Sequence, residues 1–292
     1  MDIDKEKIAI ERLKAYEPET EPYHLCYSGG KDSDVIRILA QLSGVNHEIH
    51  HNLTSVDAPE TIKYVKSIPD VIIDIPHDEN GNRISMWSLI VKKGMPPTRL
   101  IRYCCSELKE TGGKGRMKIT GVRSAESVNR AKNSGIIKII GKPKTVQKMA
   151  ENLGSDYEVT QSGGLIMNMD NDPNRRLVER CYRTTSTMIN PILDWSDSDV
   201  WQFLKYYGCA SNPLYKCGES RIGCIGCPMQ GFHGMKRDFS YYPKFKNLYI
   251  KAFDRMLEAR SNNCYSWKNG LDVYDWWTNS DQNQLSFFND ET

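Results

Sequence analysis

The chain lacks any long apolar run and carries almost no net charge. No stretch approaches the roughly 20 apolar residues that a membrane-spanning helix needs, so we expect no membrane partner. The first twenty residues hold six acidic and four basic side chains without a continuous apolar segment, and we therefore expect neither a secretory signal nor a transit peptide. A formal net charge of +2 over 292 residues is too small to require a nucleic-acid partner.

Histidine is scarce in this sequence, whereas cysteine is abundant. Six histidines offer little toward a metal site, but there are nine cysteines. In a chain without a secretory signal, this cysteine content indicates a reducing compartment, for which the cytoplasm is the default. Paired cysteines in such a compartment bind metal or carry out redox chemistry more often than they form structural disulfides.

The sequence also lacks the Gly-x-x-x-x-Gly-Lys-Ser/Thr pattern of P-loop NTPases, yet it contains Ser-Gly-Gly-Lys-Asp-Ser at 28–33. A short apolar-rich run at 23–27 predicts a strand before this loop, and Val35, Leu39 and Leu42 predict a helix after it. Two glycines allow positive φ, so that backbone N–H groups can surround an anion at the start of the helix. A carboxylate in such a loop suits a Mg²⁺ ligand on a polyphosphate, or a helix cap. The candidate phosphate- and magnesium-binding residues are Ser28, Gly29, Gly30, Lys31, Asp32 and Ser33.

Strand and helix patterns alternate along most of the chain. Strands are predicted at 45–51, 71–76, 117–122 and 187–193, with a leading helix at 3–16, a helical stretch after Pro59 and a capped helix at 196–207. This alternation predicts an α/β fold with a doubly wound, mostly parallel sheet, in which ligands bind at the carboxyl ends of the strands. The predicted organisation is a leading helix at 1–22, an α/β nucleotide-binding domain at 23–215 with an insertion at 132–176, and a cysteine-rich loop with a helical, aromatic-rich region at 216–292.

Cysteines form a second group of candidate functional residues. Two thiolates at Cys-x-x-Cys spacing can bind one metal ion or cluster, and a second pair completes four soft ligands. Spacing alone leaves zinc and an iron–sulfur cluster equally open. Five cysteines compete for the four positions: Cys104, Cys105, Cys217, Cys224 and Cys227. The isolated Cys26, Cys181 and Cys209 are interpreted as small buried hydrophobic residues.

Six segments together resemble the phosphoadenosine phosphosulfate (PAPS) reductase family, which is part of the adenine nucleotide α-hydrolase-like, PP-loop ATP pyrophosphatase superfamily. The loop at 28–33 is similar to the PP-loop, and Arg102-Tyr-Cys-Cys-Ser-Glu-Leu-Lys109 is similar to the Cys-Cys-x-x-x-Lys element. Further matching segments follow in family order at 57–61, 121–130, 190–195 and 212–228.

The resemblance implies roles for residues outside the loop. It implies that the PP-loop binds the phosphate or sulfate end of ATP, adenylyl sulfate or PAPS, and that Lys109 and Arg123 face the same anion. Glu126, Ser127 and Arg130 belong to the matched stretch and are candidate nucleotide-binding residues. The resemblance also implies that the cysteines carry a 4Fe–4S cluster, with zinc as the alternative.

One departure from the family separates two enzyme hypotheses. The reductases carry Glu-Cys-Gly-Ile/Leu-His near their C-terminus, and its cysteine attacks sulfur, but this sequence contains no such motif. We therefore favour an ATP pyrophosphatase that adenylates a substrate for sulfur transfer, with catalytic candidates Lys31, Asp32, Lys109 and Arg123. The alternatives are a sulfonucleotide reductase that releases sulfite and a non-catalytic module that binds an iron–sulfur cluster or a nucleotide.

The favoured hypothesis implies particular partners. It requires a sulfur donor protein resembling a cysteine desulfurase, or a thioredoxin-like protein in the reductase case. Its likeness to the ATP-using component of DNA phosphorothioation systems makes nucleic acid a candidate acceptor. Basic and aromatic residues alternate at 236–268, as in surfaces that bind phosphates and bases. An amphipathic helix with a solvated basic face explains the same pattern and is the preferred interpretation.

Overall fold

The computed structural model describes residues 2–140, 157–159, 164–167, 186–260 and 267–279. The chain forms two compact units. The first comprises residues 1–51, 60–73 and 113–222, and the second comprises 52–59, 74–112 and 223–292. The domain ranges drawn from the sequence remain a prediction.

A single mixed sheet organises the α/β part of the chain. Its strands lie side by side in the order β3-β2-β1-β4-β8-β5-β7-β6. Strand β1 pairs in parallel with β2 and β4, and β4 pairs in parallel with β8. Strand β5 is antiparallel to β8 and β7, and β6 is antiparallel to β7. The strands are β1 Tyr23–Cys26, β2 His47–Asn52, β3 Val71–Asp74, β4 Met117–Ile119, β5 Ile137–Ile140, β6 Glu158–Val159, β7 Leu165–Met167 and β8 Ser186–Ile189.

Ten α-helices are defined within the described part of the chain. They are α1 Ile3–Ala15, α2 Lys31–Ser43, α3 Pro59–Lys66, α4 Met86–Lys93, α5 Tyr103–Leu108, α6 Val128–Asn133, α7 Asp197–Tyr206, α8 Gly231–Tyr241, α9 Pro243–Glu258 and α10 Gly270–Thr278. In the described residues, no helix combines the length and the apolar character that crossing a bilayer requires.

The predicted mostly parallel α/β sheet is confirmed, but the insertion at 132–176 contains strands that the sequence analysis did not predict. Ile137 and Ile139 are buried and Lys138 between them is half-buried, which is the alternation of a strand. Because β5 lies between β8 and β7, this segment extends the parallel sheet with antiparallel strands. Short strands separated by long connections give too weak a period to be recognised in the sequence.

Apolar faces of the helices build the core of the first unit. Val35, Ile36 and Leu39 of α2 are fully buried, and the helix ends at Gly44 with φ +73°. The predicted capping box of α7 is confirmed, because the Ser196 hydroxyl accepts from the backbone N–H of Asp199 at 3.2 Å. These contacts fix the helices that follow β1 and β8, where the candidate site begins.

Aromatic side chains fill the core of the second unit. The predicted apolar face of α9 is confirmed, since Tyr249, Ala252 and Met256 are buried. Trp277 of α10 lies 4.8 Å from Tyr249 between ring centroids, and its indole N–H donates to the carbonyl of Pro97 at 2.6 Å. Burial of the large ring together with a satisfied polar atom makes Trp277 a central packing residue.

Replacing Trp277 with alanine should destabilise the second unit by about 3–5 kcal/mol, because the substitution leaves a cavity and an unsatisfied carbonyl. Leu271 lies on the same helix but is 47% exposed, so Leu271→Ala should cost less than about 1 kcal/mol. Urea denaturation followed by tryptophan fluorescence and circular dichroism measures both. Equal losses in the two variants would contradict the packing role of Trp277.

Candidate functional site

The Ser-Gly-Gly-Lys-Asp-Ser loop forms a tight turn between β1 and α2. Gly29 has φ +74°, and a Cβ added there would lie 2.9 Å from Val65 Cγ2 and 3.2 Å from Thr61 Cγ2. Glycine is therefore required at this position both by the backbone conformation and by the space available. The buried side chain of Asn212 stabilises the turn from a distant part of the sequence. Its Nδ2 donates to the carbonyl of Gly29 at 3.0 Å and to Thr61 Oγ1 at 3.1 Å.

Hydroxyl groups fix the start of α2. Ser33 Oγ accepts from the N–H of Gly30 at 3.1 Å and donates to the carbonyl of Gly30 at 2.7 Å. Ser28 Oγ lies 3.3 Å from Ser33 Oγ. The N–H of Lys31 donates to the hydroxyl of Tyr215 at 2.9 Å. Ser33 therefore caps the helix, and Asp32 is not needed for that role. Whether Asp32 suits a magnesium ion depends on its own contacts.

Two acidic and two basic side chains form an ion-pair cluster beside the loop. Arg123 is 1% exposed; its Nε donates to Asp32 Oδ1 at 2.7 Å, and its Nη2 donates to Asp197 Oδ1 at 2.7 Å. Lys31 Nζ lies 3.5 Å from Asp32 Oδ2 and 3.4 Å from Asp197 Oδ1. The cluster lies at the carboxyl ends of the neighbouring parallel strands β1, β4 and β8, where α/β sheets bind ligands.

The ion pairs determine the charge states of the cluster. Burial acts to lower the pKa of Arg123, but the carboxylates of Asp32 and Asp197 outweigh it and raise the pKa. Burial acts to raise the pKa of Asp197, and hydrogen bonding and charge from Arg123 and Lys31 outweigh it and lower the pKa. Arg123 and Asp197 are therefore charged at neutral pH.

The ion-pair cluster does not fit a preformed Mg²⁺ site. Magnesium binds through free carboxylate oxygens together with substrate phosphates. Asp32 and Asp197, however, already serve as acceptors for Arg123 and as counter-ions of Lys31. The pairing therefore gives no support to Asp32 as a magnesium ligand, and no catalytic step is assigned to a protein-bound magnesium ion.

The predicted residues Glu126, Ser127 and Arg130 support Arg123. Glu126 Oε1 accepts from the backbone N–H of Arg123 at 3.1 Å and also from Arg130 Nη1. Ser127 Oγ caps α6 by accepting from the N–H of Arg130 at 3.2 Å. Gly121 permits a close approach to the loop, because a Cβ there would lie 2.9 Å from the carbonyl oxygen of Asp32. Direct nucleotide binding by the three residues stays a prediction.

An open cavity of about 560 Å³ lies against this cluster within the first unit. Its volume is in the range of pockets that bind small molecules and cofactors. Trp201 and Tyr215, whose rings meet edge to face with centroids 5.1 Å apart, are part of its wall. Other lining residues are Lys31, Asp197, Asn212, Lys216 and Glu219.

The sequence analysis missed Asp34, a fully buried carboxylate in α2. It accepts hydrogen bonds from the hydroxyls of Tyr27 at 2.6 Å and Tyr64 at 3.0 Å. Burial raises the pKa of Asp34, although these two hydrogen bonds oppose the shift. Asp34 thus ties the segment after β1 to α3. In the sequence, Asp34 is marked only by its position next to the apolar Val35. That position does not show whether the carboxylate is buried or exposed.

Four of the five candidate cysteines line one small cavity in the second unit, of about 30 Å³. They are Cys104, Cys105, Cys224 and Cys227. The fifth, Cys217, is exposed and belongs to the first unit. Gly226 shapes the loop between the last two: its φ is +72°, and a Cβ there would lie 2.4 Å from the ring of Phe239.

The thiols in this cavity interact strongly. A hydrogen bond from Cys104 lowers the pKa of Cys105 to about 6. Burial opposes this shift, and the positive charges of Lys109 and Arg102 add to it. The same hydrogen bond raises the pKa of Cys104. Lys109 is exposed over much of its surface. The negative charge of Cys224, and after it that of Asp57, raises the pKa of Lys109, and desolvation opposes this rise. Lys109 therefore lies as a cation among the cysteines, and the prediction that it shares an anion with Arg123 remains a prediction.

The four thiols make this cavity the candidate metal centre of the chain. Four cysteine sulfurs are a donor set that both a tetrahedral zinc ion and a 4Fe–4S cluster use. The cavity therefore suits soft metal chemistry of either kind.

The isolated cysteines differ partly from their interpretation as buried residues. Cys26 and Cys209 are half-buried rather than buried. Cys209 follows α7 in a loop instead of lying within a helix, and its Sγ lies 3.8 Å from the hydroxyl of Tyr64. Gly208, which has φ +62°, separates Cys209 from the end of that helix. Cys181 lies outside the described residues.

Comparison with known families matches residues 22–230 to the phosphoadenosine phosphosulfate reductase domain. An uncharacterized protein of Methanocaldococcus jannaschii is 27% identical over 239 residues, which cover 78% of this chain and 47% of the relative. An adenosine 5'-phosphosulfate reductase of Allochromatium vinosum is 44% identical over 39 residues, which cover 13% of this chain and 15% of that enzyme.

Among solved structures, the phosphoadenylyl-sulfate reductase of Candida auris in a phosphate complex is similar to 77% of this chain and to 95% of that chain. The sequence identity is 15% and the TM-score is 0.41. The chain spans about half the length of the two Methanocaldococcus jannaschii relatives that it matches, 47% and 45%.

Substituting Gly29 with alanine should weaken ATP binding by at least about tenfold, because the positive φ costs roughly 1–2 kcal/mol and the new methyl group collides with Val65 and Thr61. Gly44 is the matched control: its φ is +73°, and nothing lies within 4 Å of an added Cβ. Gly44→Ala should lower stability similarly and leave the Kd for ATP unchanged. Calorimetric titration decides, and equal Kd values for both variants would refute the role of the Gly29 turn.

Iron binding should depend on Cys224 and not on Cys217. After anaerobic reconstitution, Cys224→Ser should lose the brown absorbance and most of the iron, whereas Cys217→Ser should retain both, because Cys217 does not line the cysteine cavity. Iron and sulfide analysis with visible absorption spectra measures the result. An unchanged spectrum for Cys224→Ser would exclude Cys224 as a ligand.

Proposed function

Because the chain belongs to the phosphoadenosine phosphosulfate reductase domain family, we propose that it is an ATP pyrophosphatase that adenylates a substrate for sulfur transfer. The family comprises nucleotide-binding proteins, and the Ser-Gly-Gly-Lys-Asp-Ser turn is the proposed site for the phosphates. ATP arrives with Mg²⁺ as its own counter-ion, so the protein needs no resident magnesium site for binding.

The proposed reaction has two displacements. An oxygen of the acceptor attacks the α-phosphorus of ATP, the bond from that phosphorus to the bridging oxygen breaks, and pyrophosphate leaves. A sulfur nucleophile then attacks the activated atom of the acceptor and displaces AMP together with the original oxygen. Both steps move negative charge between phosphate oxygens, so fixed cations and correct positioning supply most of the rate acceleration.

The observation that carries the proposal is the pair of cations beside the loop. Lys31 and Arg123 are both buried, and each is paired with Asp32 and Asp197. They lie beside a turn whose conformation depends on Gly29 and whose helix N-terminus favours a phosphate. In the proposed mechanism Lys31 and Arg123 stabilise the developing charge, and Ser28, Gly29 and Gly30 orient the phosphates.

The cysteine cavity is the proposed place of a 4Fe–4S cluster, held by Cys104, Cys105, Cys224 and Cys227. When bound, such a cluster supplies iron and sulfide atoms that can position sulfur. Lys109 adds a positive charge that offsets the thiolates. A desulfurase-like protein is the proposed sulfur donor, and the reducing cytoplasm is the proposed compartment because thiolate ligands are stable there.

Nucleic acid is the proposed acceptor of the activated group. Lys244, Lys251 and Arg255 are exposed on α9 and recur at seven and four residues, which places them on one side of that helix. The opposite side is the buried aromatic face. This is the amphipathic helix that the sequence predicts, and its solvated basic side is suitable for phosphate contacts.

A sulfonucleotide reductase is the second candidate, and the four-cysteine cavity favours it. The local similarity to an adenosine 5'-phosphosulfate reductase adds to this support. Reduction requires a thiol that attacks the sulfur of the sulfonucleotide. Cys105 has a lowered pKa, but it lies among the proposed cluster ligands, and thiolates engaged by a cluster do not serve as free nucleophiles.

Lys31→Ala should reduce pyrophosphate release from ATP by about 100-fold or more, which is the usual cost of removing one preorganised group that stabilises developing charge. Lys114 is the matched control, because it also follows a Gly-Gly pair, at 112–113, but lies in an exposed turn. Lys114→Ala should turn over normally, and thermal melts should show both variants folded. Normal turnover by Lys31→Ala would remove the loop from the mechanism.

A further inference from the structure

Asp197 is the point on which two cations of the first unit converge. Its Oδ1 atom accepts from Arg123 Nη2 at 2.7 Å and lies 3.4 Å from Lys31 Nζ. One oxygen atom with formal negative charge, held between an ammonium and a guanidinium group, has the surroundings that phosphate and sulfate oxygens have in anion-binding sites. The same aspartate lines the open cavity beside the loop.

The two acids of the ion-pair cluster differ in how easily they can leave it. The side chain of Asp197 is 70% exposed, whereas that of Asp32 is 22% exposed. Asp197 can therefore rotate into water at little cost in solvation. If Asp32 rotated away instead, the buried Arg123 would lose a partner that it requires. Arg123 keeps a further contact, because its Nη1 donates to the carbonyl of Trp195 at 3.1 Å.

The charges of the cluster sum to zero with both acids in place. Lys31 and Arg123 contribute two positive charges, and Asp32 and Asp197 contribute two negative charges. An incoming phosphate would make this group strongly negative while Asp197 stays, and like charges at such distances repel strongly where water is partly excluded. Binding of a phosphate is consistent with the geometry when Asp197 turns away and the phosphate takes over its two cations.

We propose that Asp197 is an internal anion that holds the place of a phosphate or sulfate oxygen between Lys31 and Arg123 and is displaced when the nucleotide binds. The inference rests on the proposed binding of a nucleotide at the loop and names a residue that tunes it. Asp197 thereby lowers the affinity for every anion that takes this place, by the cost of turning its side chain away.

Titration calorimetry with inorganic pyrophosphate, and separately with sulfate, tests the inference. Asp197→Asn and Asp197→Ala should each bind either anion about five- to tenfold more tightly than the unmodified chain, since no internal anion then has to be displaced. Adenosine, which has no anionic group, should bind all three proteins equally, whereas a loosened site would bind it more weakly.

Glu11→Gln is the control, because Glu11 is an exposed carboxylate on α1 of the same unit and does not line the cavity. It should change the Kd for pyrophosphate by less than about twofold, since its charge is screened by solvent. Unchanged or weaker anion binding by both Asp197 variants would overturn the inference and leave the proposed function standing. If the unmodified chain and all variants bind neither anions nor ATP, the proposed nucleotide site falls together with the inference.

Discussion

The buried guanidinium of Arg123 is the interaction on which the candidate site depends. A cation removed from water at this depth is tolerated only with charged and hydrogen-bonding partners around it. Asp32 supplies one partner from the PP-loop helix, Asp197 supplies another from the start of α7, and the carbonyl of Trp195 supplies a third. The segments that follow three neighbouring strands are thereby tied to one side chain. Loop geometry, charge balance and the wall of the cavity follow from that arrangement.

Each unit has its own chemistry. The first unit offers glycine-shaped backbone and paired charges, which suit a polyanion such as a nucleotide phosphate. The second offers four cysteines and a lysine, Lys109, around a small cavity, which suit soft metal chemistry. An adenylating enzyme that transfers sulfur needs an anion site and a means of handling sulfur, and the proposed function assigns one of these to each unit. A reductase would use the same parts but would also require an attacking thiol.

The sequence predicted those parts of the candidate site that consist of short, local patterns. The loop at 28–33, the cap at Ser196 and the two cysteine pairs are each contained within a few residues, so their spacing alone revealed them. It could not predict Tyr215, whose hydroxyl contacts the N–H of Lys31 across 184 residues of sequence. Asp197 was missed for the same reason, because an acid at the start of a helix is common and only the fold places it beside Arg123. Strand β5 was missed because four residues carry too little periodicity.

The most direct measurement is a parallel assay of pyrophosphate and sulfite. The anaerobically purified and reconstituted chain is incubated with ATP and Mg²⁺, where water can slowly replace the acceptor, or with adenylyl sulfate and thioredoxin. The account predicts AMP and pyrophosphate from ATP and no sulfite from adenylyl sulfate. Sulfite release without pyrophosphate formation would contradict it, and would mean that this cation site holds a sulfonucleotide for reduction.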